Sequence, residues 1–175
     1  MLSLWDYAVK VYGLPGVKDA LLKLQDRYHL DVNAVLWGLW CARYGFALDE
    51  DQAEAVLTTT KDFALHTTRP LRAVRLFLSA PKVGFSAEDL KTLRDDVLQI
   101  EVKSEELVLK RLDAVTTSLV EASGSPDAFR ERSAFFFTLA RENVDTPIMI
   151  ADEEGPESPG GLFNALRQVI EDYGP

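Results

Sequence analysis

The chain has 175 residues, of which 47% are hydrophobic, and its formal net charge is −9. This length suits one domain whose core needs no disulfide or metal, and the hydrophobic fraction excludes a disordered chain. An acidic chain is a poor match for nucleic acid, because phosphate contacts need a positive surface. The single cysteine excludes a disulfide framework, and no apolar run approaches the roughly 20 residues that cross a bilayer. We therefore expect a cytoplasmic protein that neither binds nucleic acid nor spans a membrane.

The first three predicted helices lead to the centre of the fold. Apolar residues at helical spacing predict helices over residues 4–12 and 17–28. A third helix lies between Asp31, whose carboxylate can cap its first turn, and Gly45, which suits a left-handed C-cap. Apolar residues surround this third helix on every side, and such helices are normally enclosed by others. We expect it to be the buried axis of an all-α domain.

A proline interrupts the next amphipathic helix. Asp49 caps its start, and acidic residues follow in the first turn, where the helix dipole favours them. Pro70 lacks a backbone N–H and crowds the turn before it. Two interpretations stay open: a new helix begins near Thr68 with Pro70 in its first turn, or one helix bends at this point.

The longest predicted helix begins with Ser86 as its cap. If it continued to Ala122, it would be about 55 Å long at about 1.5 Å per residue. That length is more than a domain of this size usually needs. We therefore expect a bend or break near Ser104, which lies between two apolar stripes of the helix.

The rest of the chain contains two more predicted helices separated by a loop. A Gly-Ser-Pro turn at residues 124–126 ends the long helix, residues 127–144 form an aromatic-rich helix, and residues 162–173 form the last one. The intervening residues, 145–161, hold three prolines, three glycines and five acidic residues. This composition predicts a loop or flexible linker.

Together these elements predict an all-α, single-domain helical bundle of about six to eight helices around the buried central helix. We assign residues 1–144 to the bundle, residues 145–161 to the acidic loop or linker, and residues 162–175 to a C-terminal helix packed on the same domain. No internal repeat or strand pair is convincing, so helix packing alone must build the core.

The most informative group of polar residues is a row of arginines. Arg69, Arg72 and Arg75 recur every third residue, so they share one helix face. Glu101 and Glu105, four apart on the long helix, are candidates to pair with them. One interpretation is an interhelical salt-bridge network or a solvated basic face. The other is a pocket or docking patch for an anionic ligand or an acidic partner, since a guanidinium binds carboxylate or phosphate through two hydrogen bonds.

The sequence does not support a metal site, a reactive cysteine or a nucleotide-binding motif. Both histidines lie near a carboxylate within one helical turn, but neither Glu-x-x-His unit of a di-iron bundle is present. Cys41 lies in the apolar helix, which raises a thiol pKa, so we interpret it as a packed core residue. No phosphate-binding loop, dinucleotide fingerprint or nucleophile elbow occurs. We predict no metal, no cofactor and no catalytic residue.

Trp37 and Trp40 form an aromatic row on the central helix, with Gly38 beside them. A glycine leaves room for a close approach. One interpretation is therefore an aromatic cage or a pocket for an apolar ligand, and the other is core packing. Asn33 and Gln25 are polar residues near this row, and buried amides need hydrogen-bond partners.

Short motifs are spread over residues 4 to 120 in a distinctive order. Those motifs are Leu4-Trp5, Leu24-Gln25-Asp26, Asp31-Val32-Asn33, Trp40, Pro70-Leu71-Arg72, Arg75, Glu101 and Glu105-Glu106. The pattern resembles a bacterial family of short, all-helical cytoplasmic proteins of unknown function. The resemblance implies an all-helical fold and carries over no activity. It does make one set of side chains the natural candidates to meet in space: Gln25, Asp26, Asn33, Arg72, Arg75, Glu101 and Glu105.

Three functions are compatible with the sequence. The first is a non-enzymatic interaction or regulatory module that presents the arginine face, or an apolar groove between helices, to a partner protein. The second is a small-molecule site, with or without catalysis, in which polar side chains line a pocket beneath the tryptophans. Those side chains are Gln25, Asp26, Asn33, Arg72 and Glu101. The third is self-association.

Overall fold

The computed structural model describes residues 1–122, 129–142 and 155–175, and helices make up most of these ranges. The helices are α1 (Leu4–Tyr12), α2 (Val17–Tyr28), α3 (Val32–Tyr44), α4 (Glu50–Phe63), α5 (Arg69–Phe77), α6 (Ala87–Leu119), α7 (Phe129–Glu142) and α8 (Pro159–Tyr173). They confirm the predicted all-α bundle. Within the described ranges, no helix is both long and apolar enough to span a membrane. The predicted turn at 124–126 and most of the predicted loop at 145–161 lie outside the described residues.

The centre of the fold is α3, which buries every residue from Asn33 to Ala42. Its start is fixed by Asp31, whose side chain accepts a hydrogen bond from the backbone N–H of Asn33 at 2.8 Å. Gly45 ends the helix with a φ of 70°, a left-handed conformation that glycine adopts without strain. The structure confirms both predicted caps and the predicted burial of this helix.

A glycine lets α3 pack closely against α7. Gly38 lies where the two helices meet, and a Cβ atom added there would be 2.6 Å from the Cβ atom of Phe136. The Phe136 ring then meets the ring of Trp37 edge to face, with 5.2 Å between centroids. The space beside Gly38 is therefore filled by a core side chain of the protein itself.

The last helix, α8, packs against α2 and α7. Tyr28 of α2 donates its hydroxyl to the carbonyl oxygen of Glu157 at 2.8 Å, just before α8 begins. The ring of Phe137 stacks on that of Phe163, with 4.0 Å between centroids. The inward-facing residues of α8 join the same hydrophobic core as α3.

A single π-helical turn, Ala64–Thr68, connects α4 to α5. At its end the N–H of Arg69 donates to the carbonyl oxygen of Ala64, five residues earlier. The wider turn accommodates Pro70, which has no N–H to donate and lies in the first turn of α5. The chain thus combines both interpretations: α5 begins with Pro70 in its first turn, but the helical backbone runs on from α4 through the π-helical turn without a cap.

The longest helix, α6, is continuous over 33 residues, so the predicted bend or break near Ser104 is wrong. The Ser104 hydroxyl is buried and lies 2.7 Å from the carbonyl oxygen of Glu101 and 3.0 Å from the hydroxyl oxygen of Thr68. Ser104 is therefore a contact to the π-helical turn. The length has a simple reason: the second half of α6 joins the hydrophobic core, whereas the first half packs against α5 outside it.

We expect Gly38→Ala to lower the free energy of unfolding by about 1–3 kcal/mol, the usual cost of overpacking a core. The new methyl group would overlap Phe136, and the gain in helix propensity, about 1 kcal/mol at most, offsets only part of that cost. Urea denaturation measures the change. Gly160→Ala in α8 is the matched control, because no atom lies within 4 Å of its added Cβ. Unchanged stability of Gly38→Ala would contradict the close approach of α3 and α7.

Candidate functional site

Two arginines of α5 and two glutamates of α6 form an ion-pair group, here called the Arg–Glu cluster: Arg72, Arg75, Glu101 and Glu105. The Glu101 carboxylate accepts hydrogen bonds from Nε of Arg72 at 2.9 Å and from Nε of Arg75 at 2.5 Å. Arg75 donates a second bond to it through Nη2 at 3.2 Å. Arg72 reaches Glu105 through Nη2 at 2.6 Å. Glu101 is the common acceptor, and Arg72 bridges the two carboxylates.

Burial and charge distinguish the two glutamates. The Glu101 side chain is 3% exposed, and the Glu105 side chain is 25% exposed. Burial alone would raise the pKa of Glu101, but the hydrogen bonds from Arg75 and Arg72 outweigh it and hold the pKa below its usual range. Burial also raises the pKa of Glu105, and the attraction of Arg72 offsets only part of that shift. Glu101 is therefore held as a carboxylate, and Glu105 is the easier of the two to protonate.

A tyrosine of α1 borders the Arg–Glu cluster. The side chain of Tyr12 is half-buried, and its pKa is raised by burial and by the negative charge of Glu105. The negative charge of Asp26 of α2 adds a smaller upward shift. Four helices, α1, α2, α5 and α6, thus contribute polar side chains to one region.

A cleft of about 540 Å³ opens beside the Arg–Glu cluster. Two stretches of the chain line it: the end of α2 with the start of α3, and the π-helical turn with α5. The first stretch contributes Gln25, Asp26, His29, Leu30, Asp31 and Asn33, and the second contributes Ala64, Thr68, Arg69, Arg72 and Leu76. Carboxylates and amides therefore line one wall of the cleft, and guanidinium groups line the other.

The turn between α2 and α3 shapes the first wall. His29 ends α2 with a φ of 56°, a left-handed conformation that is uncommon for any residue except glycine. Its N–H donates to the carbonyl oxygen of Gln25 at 2.9 Å, which closes the last turn of the helix. The chain then reverses and enters α3. This reversal brings Asp26 and Asp31, from different helices, to the same cleft.

Asn33 lines both the cleft and a second, smaller cavity of about 40 Å³. The residue is 7% exposed, and its side-chain amide forms no hydrogen bond with any residue in the described ranges. The Asn33 amide is not among the buried side-chain groups that are shut off from water, so it keeps contact with the cleft. The amide is therefore available to a group that enters the cleft.

The structure brings together most of the side chains singled out in the sequence. The five that line the cleft are Gln25, Asp26, Asn33, Arg69 and Arg72. Three others belong to the Arg–Glu cluster. Glu101 and Glu105 accept hydrogen bonds from Arg72, and Arg75 shares the carboxylate of Glu101 with it. The pairing of arginines with glutamates is the interhelical salt-bridge network, one of the two interpretations that the sequence allows. The cleft lies against this network.

The tryptophans lie elsewhere. Trp37 and Trp40 are fully buried. Nε1 of Trp37 donates to the hydroxyl of Thr116 at 2.8 Å, and Nε1 of Trp40 donates to the carbonyl oxygen of Leu2 at 3.1 Å. Neither lines the cleft. Their position matches the core-packing interpretation.

Several lining residues are not among the site candidates of the sequence. Asp31 could have been found, because the same side chain that caps α3 stands two residues before Asn33. His29, Thr68 and Leu76 carry no local signal, since only the packing of α5 beside α2 places them on one cavity.

The residues around the cleft can supply hydrogen bonds and charge. In the described ranges, no three His, Cys, Asp or Glu side chains converge closely enough to hold a metal ion. Cys41 is fully buried, and burial raises the pKa of its thiol. The cleft therefore offers hydrogen-bond donors and acceptors, with acidic side chains from one stretch of its lining and basic side chains from the other.

We expect Glu101→Gln to lower the free energy of unfolding by about 3 kcal/mol, because it leaves two largely enclosed guanidinium groups without their shared carboxylate. Glu105→Gln is the matched control on the same helix. We expect it to cost about 1 kcal/mol or less, since Glu105 is more exposed and pairs with Arg72 alone. Chemical denaturation compares the two variants with the wild type. Equal losses would contradict the role of Glu101 as the principal acceptor.

The two glutamates also predict opposite effects of pH. The pKa of Glu101 is lowered by folding, so its stabilisation is full above the ordinary value of about 4.5 and is lost as the pH falls through the lower folded value. The stability difference between the wild type and Glu101→Gln should therefore shrink in acid. The pKa of Glu105 is raised, so the wild type should gain stability relative to Glu105→Gln as the pH falls. Denaturation curves measured from acidic to neutral pH test these two predictions. They are contradicted if the stability differences of the two variants from the wild type change in the same direction with pH.

Comparison with known proteins identifies a family without assigning an activity. Residues 3–112 match the model of a family described as "Protein of unknown function (DUF2390)". This range contains both walls of the cleft and all four members of the Arg–Glu cluster. No curated protein and no solved structure matches the chain. Because the match covers well over half of the sequence, the chain belongs to the DUF2390 family of proteins of unknown function.

Proposed function

We propose that the protein binds a small zwitterionic molecule in the cleft. An anionic group of the ligand would lie toward Arg69 and Arg72, and a cationic group toward Asp26 and Asp31. The observation that carries this proposal is the convergence of oppositely charged side chains on the two walls of a cavity of about 540 Å³. Small-molecule sites typically occupy about 300–1,000 Å³. Free amino acids and short peptides belong to this chemical class.

The fixed orientation of Arg72 supports the proposal. Its Nε donates to Glu101 and its Nη2 donates to Glu105, and its side chain is 22% exposed. Two carboxylates thus hold the guanidinium in place before a ligand arrives, which reduces the entropy lost on binding. Nη1 takes no part in these bonds, so Arg72 keeps donor capacity for an anionic group.

The amide of Asn33 gives the cleft a means of selecting its ligand. An amide offers both a donor and an acceptor, and Asn33 lines the cavity. A ligand that bonds to it would replace the water that meets this group and would exclude water from the cleft. Ligands that lack a matching group would leave it unpaired, which is the usual source of strong discrimination.

We propose binding rather than catalysis. Among the described lining residues the hydroxyl-bearing side chain is Thr68, and its oxygen accepts a hydrogen bond from Ser104. A nucleophile needs a base within hydrogen-bond reach, and Thr68 is instead paired with another hydroxyl. The charged groups of the cleft are suited to orienting a ligand.

A panel of free amino acids, tested by thermal unfolding, checks the proposal. At about 100 times Kd a ligand adds about 2.7 kcal/mol of stability, which raises Tm by about 5–10 °C in a chain of this size. We expect at least one amino acid to do so. Its N-acetylated form and its carboxamide should each lose most of the shift, because each removes one of the two charges.

Two cleft variants and one control complete this experiment. Arg69→Gln and Asp26→Asn should each weaken the ligand about tenfold, the effect of one charged hydrogen bond. Arg94→Gln on α6 removes an arginine outside the cleft and should leave the affinity unchanged. If no panel member stabilises the wild type, or if both cleft variants bind as the wild type does, the proposal is wrong.

Docking of a partner protein on the arginine face is the second candidate, and one observation favours it. α5 buries none of its residues, and Leu76 and Phe77 are 55% and 64% exposed. Leu76 also lines the cleft, so a partner segment could cover both. Phe77→Asp, at a residue outside the cleft lining, should then abolish capture of that partner while a free amino acid still binds. A location in the bacterial cytoplasm stays a prediction from the sequence.

A further inference from the structure

One side of α6 carries an apolar stripe that the described structure leaves half uncovered. Leu93, Ile100 and Leu107 are 51%, 56% and 50% exposed. They are seven residues apart, which is two helical turns, so they lie almost on one line along the helix. Single exposed apolar residues are ordinary. A line of three over about 21 Å is the pattern by which helices pair.

A row of charges lies beside this stripe. Asp89, Asp96, Lys103 and Lys110 also recur every seven residues, and all four are exposed. The two acids belong to the first half of the row, and the two lysines belong to the second half. Glu106 accepts hydrogen bonds from Lys103 at 3.1 Å and from Lys110 at 2.5 Å, which holds both lysines along the helix.

We propose that two copies of the chain associate through this side of α6, with their helices antiparallel and Ile100 near the twofold axis. Asp96 lies four residues before Ile100 and Lys103 lies three residues after it. An antiparallel pair therefore sets Asp96 of one copy beside Lys103 of the other, and does so twice. Such an interface is self-complementary, as twofold symmetry requires.

The outer residues of the stripe fit the same arrangement. Asp89 lies eleven residues before Ile100 and Lys110 lies ten residues after it, so they also face each other between copies. Leu93 and Leu107, seven residues to either side, meet in the same way. A parallel pair would set acid beside acid and lysine beside lysine. The charge pattern thus selects the antiparallel order.

The proposed interface faces away from the cleft. Arg72 and Leu76 line the cleft, and Val74, two residues from each, is turned to the opposite side of α5, where it is 47% exposed. On α6, Ile100 is turned about 140° from Glu105, the residue that bonds to Arg72. Val74 and Ile100 are thus both turned away from the cleft. A dimer formed here leaves both clefts open, so this inference stands independently of the ligand.

The energetics predict a reversible dimer. Exposed ion pairs contribute about 0–1 kcal/mol each, so the charges set orientation more than affinity. Burial of the apolar stripe supplies the attraction. Each chain keeps its own hydrophobic core around α3, so the monomer should remain folded when the dimer dissociates.

Sedimentation and light scattering over a dilution series of the full chain test the proposal. We expect the wild type to pass from dimer to monomer on dilution. Asp96→Lys sets lysine beside lysine, and Lys103→Glu sets acid beside acid, so each alone should weaken the dimer on the order of tenfold or more. An equimolar mixture of the two variants restores both opposite-charge pairs and should dimerise as well as the wild type.

A pair of apolar variants separates this surface from others. Ile100→Glu should abolish the dimer, whereas Val9→Glu, on a residue of α1 that is 53% exposed, should leave it intact. Circular dichroism should show all variants folded, since each substitution is at an exposed site. A wild type that is monomeric at every concentration overturns the proposal. A dimer whose affinity is unchanged by Asp96→Lys and by Lys103→Glu also overturns the proposal. So does an equimolar mixture of the two variants that fails to dimerise.

Discussion

The carboxylate of Glu101, withdrawn from water between Arg72 and Arg75, is the interaction on which the second wall of the cleft depends. Removing a charge from water costs several kcal/mol, and only close partners with several hydrogen bonds offset that cost. α5 buries none of its own residues, so apolar packing does little to hold it. Charge pairing with α6 fixes its position instead, and with it the guanidinium groups that face the cleft.

The pair formed by α5 and α6 therefore has two sides of different character. One side carries Arg72, with the cleft that Asn33 also lines. The other carries Val74 and Ile100, which are about half exposed. The Arg–Glu cluster lies between them and keeps the two helices in register.

Local sequence was sufficient for the helices and insufficient for the cleft. The caps Asp31 and Gly45 and the all-round apolar pattern between them defined α3, because capping and burial are encoded within a few residues. α6 needs no break at Ser104, because only half of it lies within the core and the other half pairs with α5. The cleft joins residues near position 30 to residues near position 70, and no local rule specifies that packing.

The π-helical turn gives α4 and α5 one place where the chain holds a residue more than a regular helix needs. A regular α-helix closes on the fourth preceding carbonyl, but here Arg69 closes on the fifth. Removing one residue of Ala64–Thr68 would return this turn to ordinary α-helical bonding and leave the later positions of α5 in place. The arginines would keep their contact with Glu101, whereas a residue removed within α5 itself would turn every later side chain by about 100°.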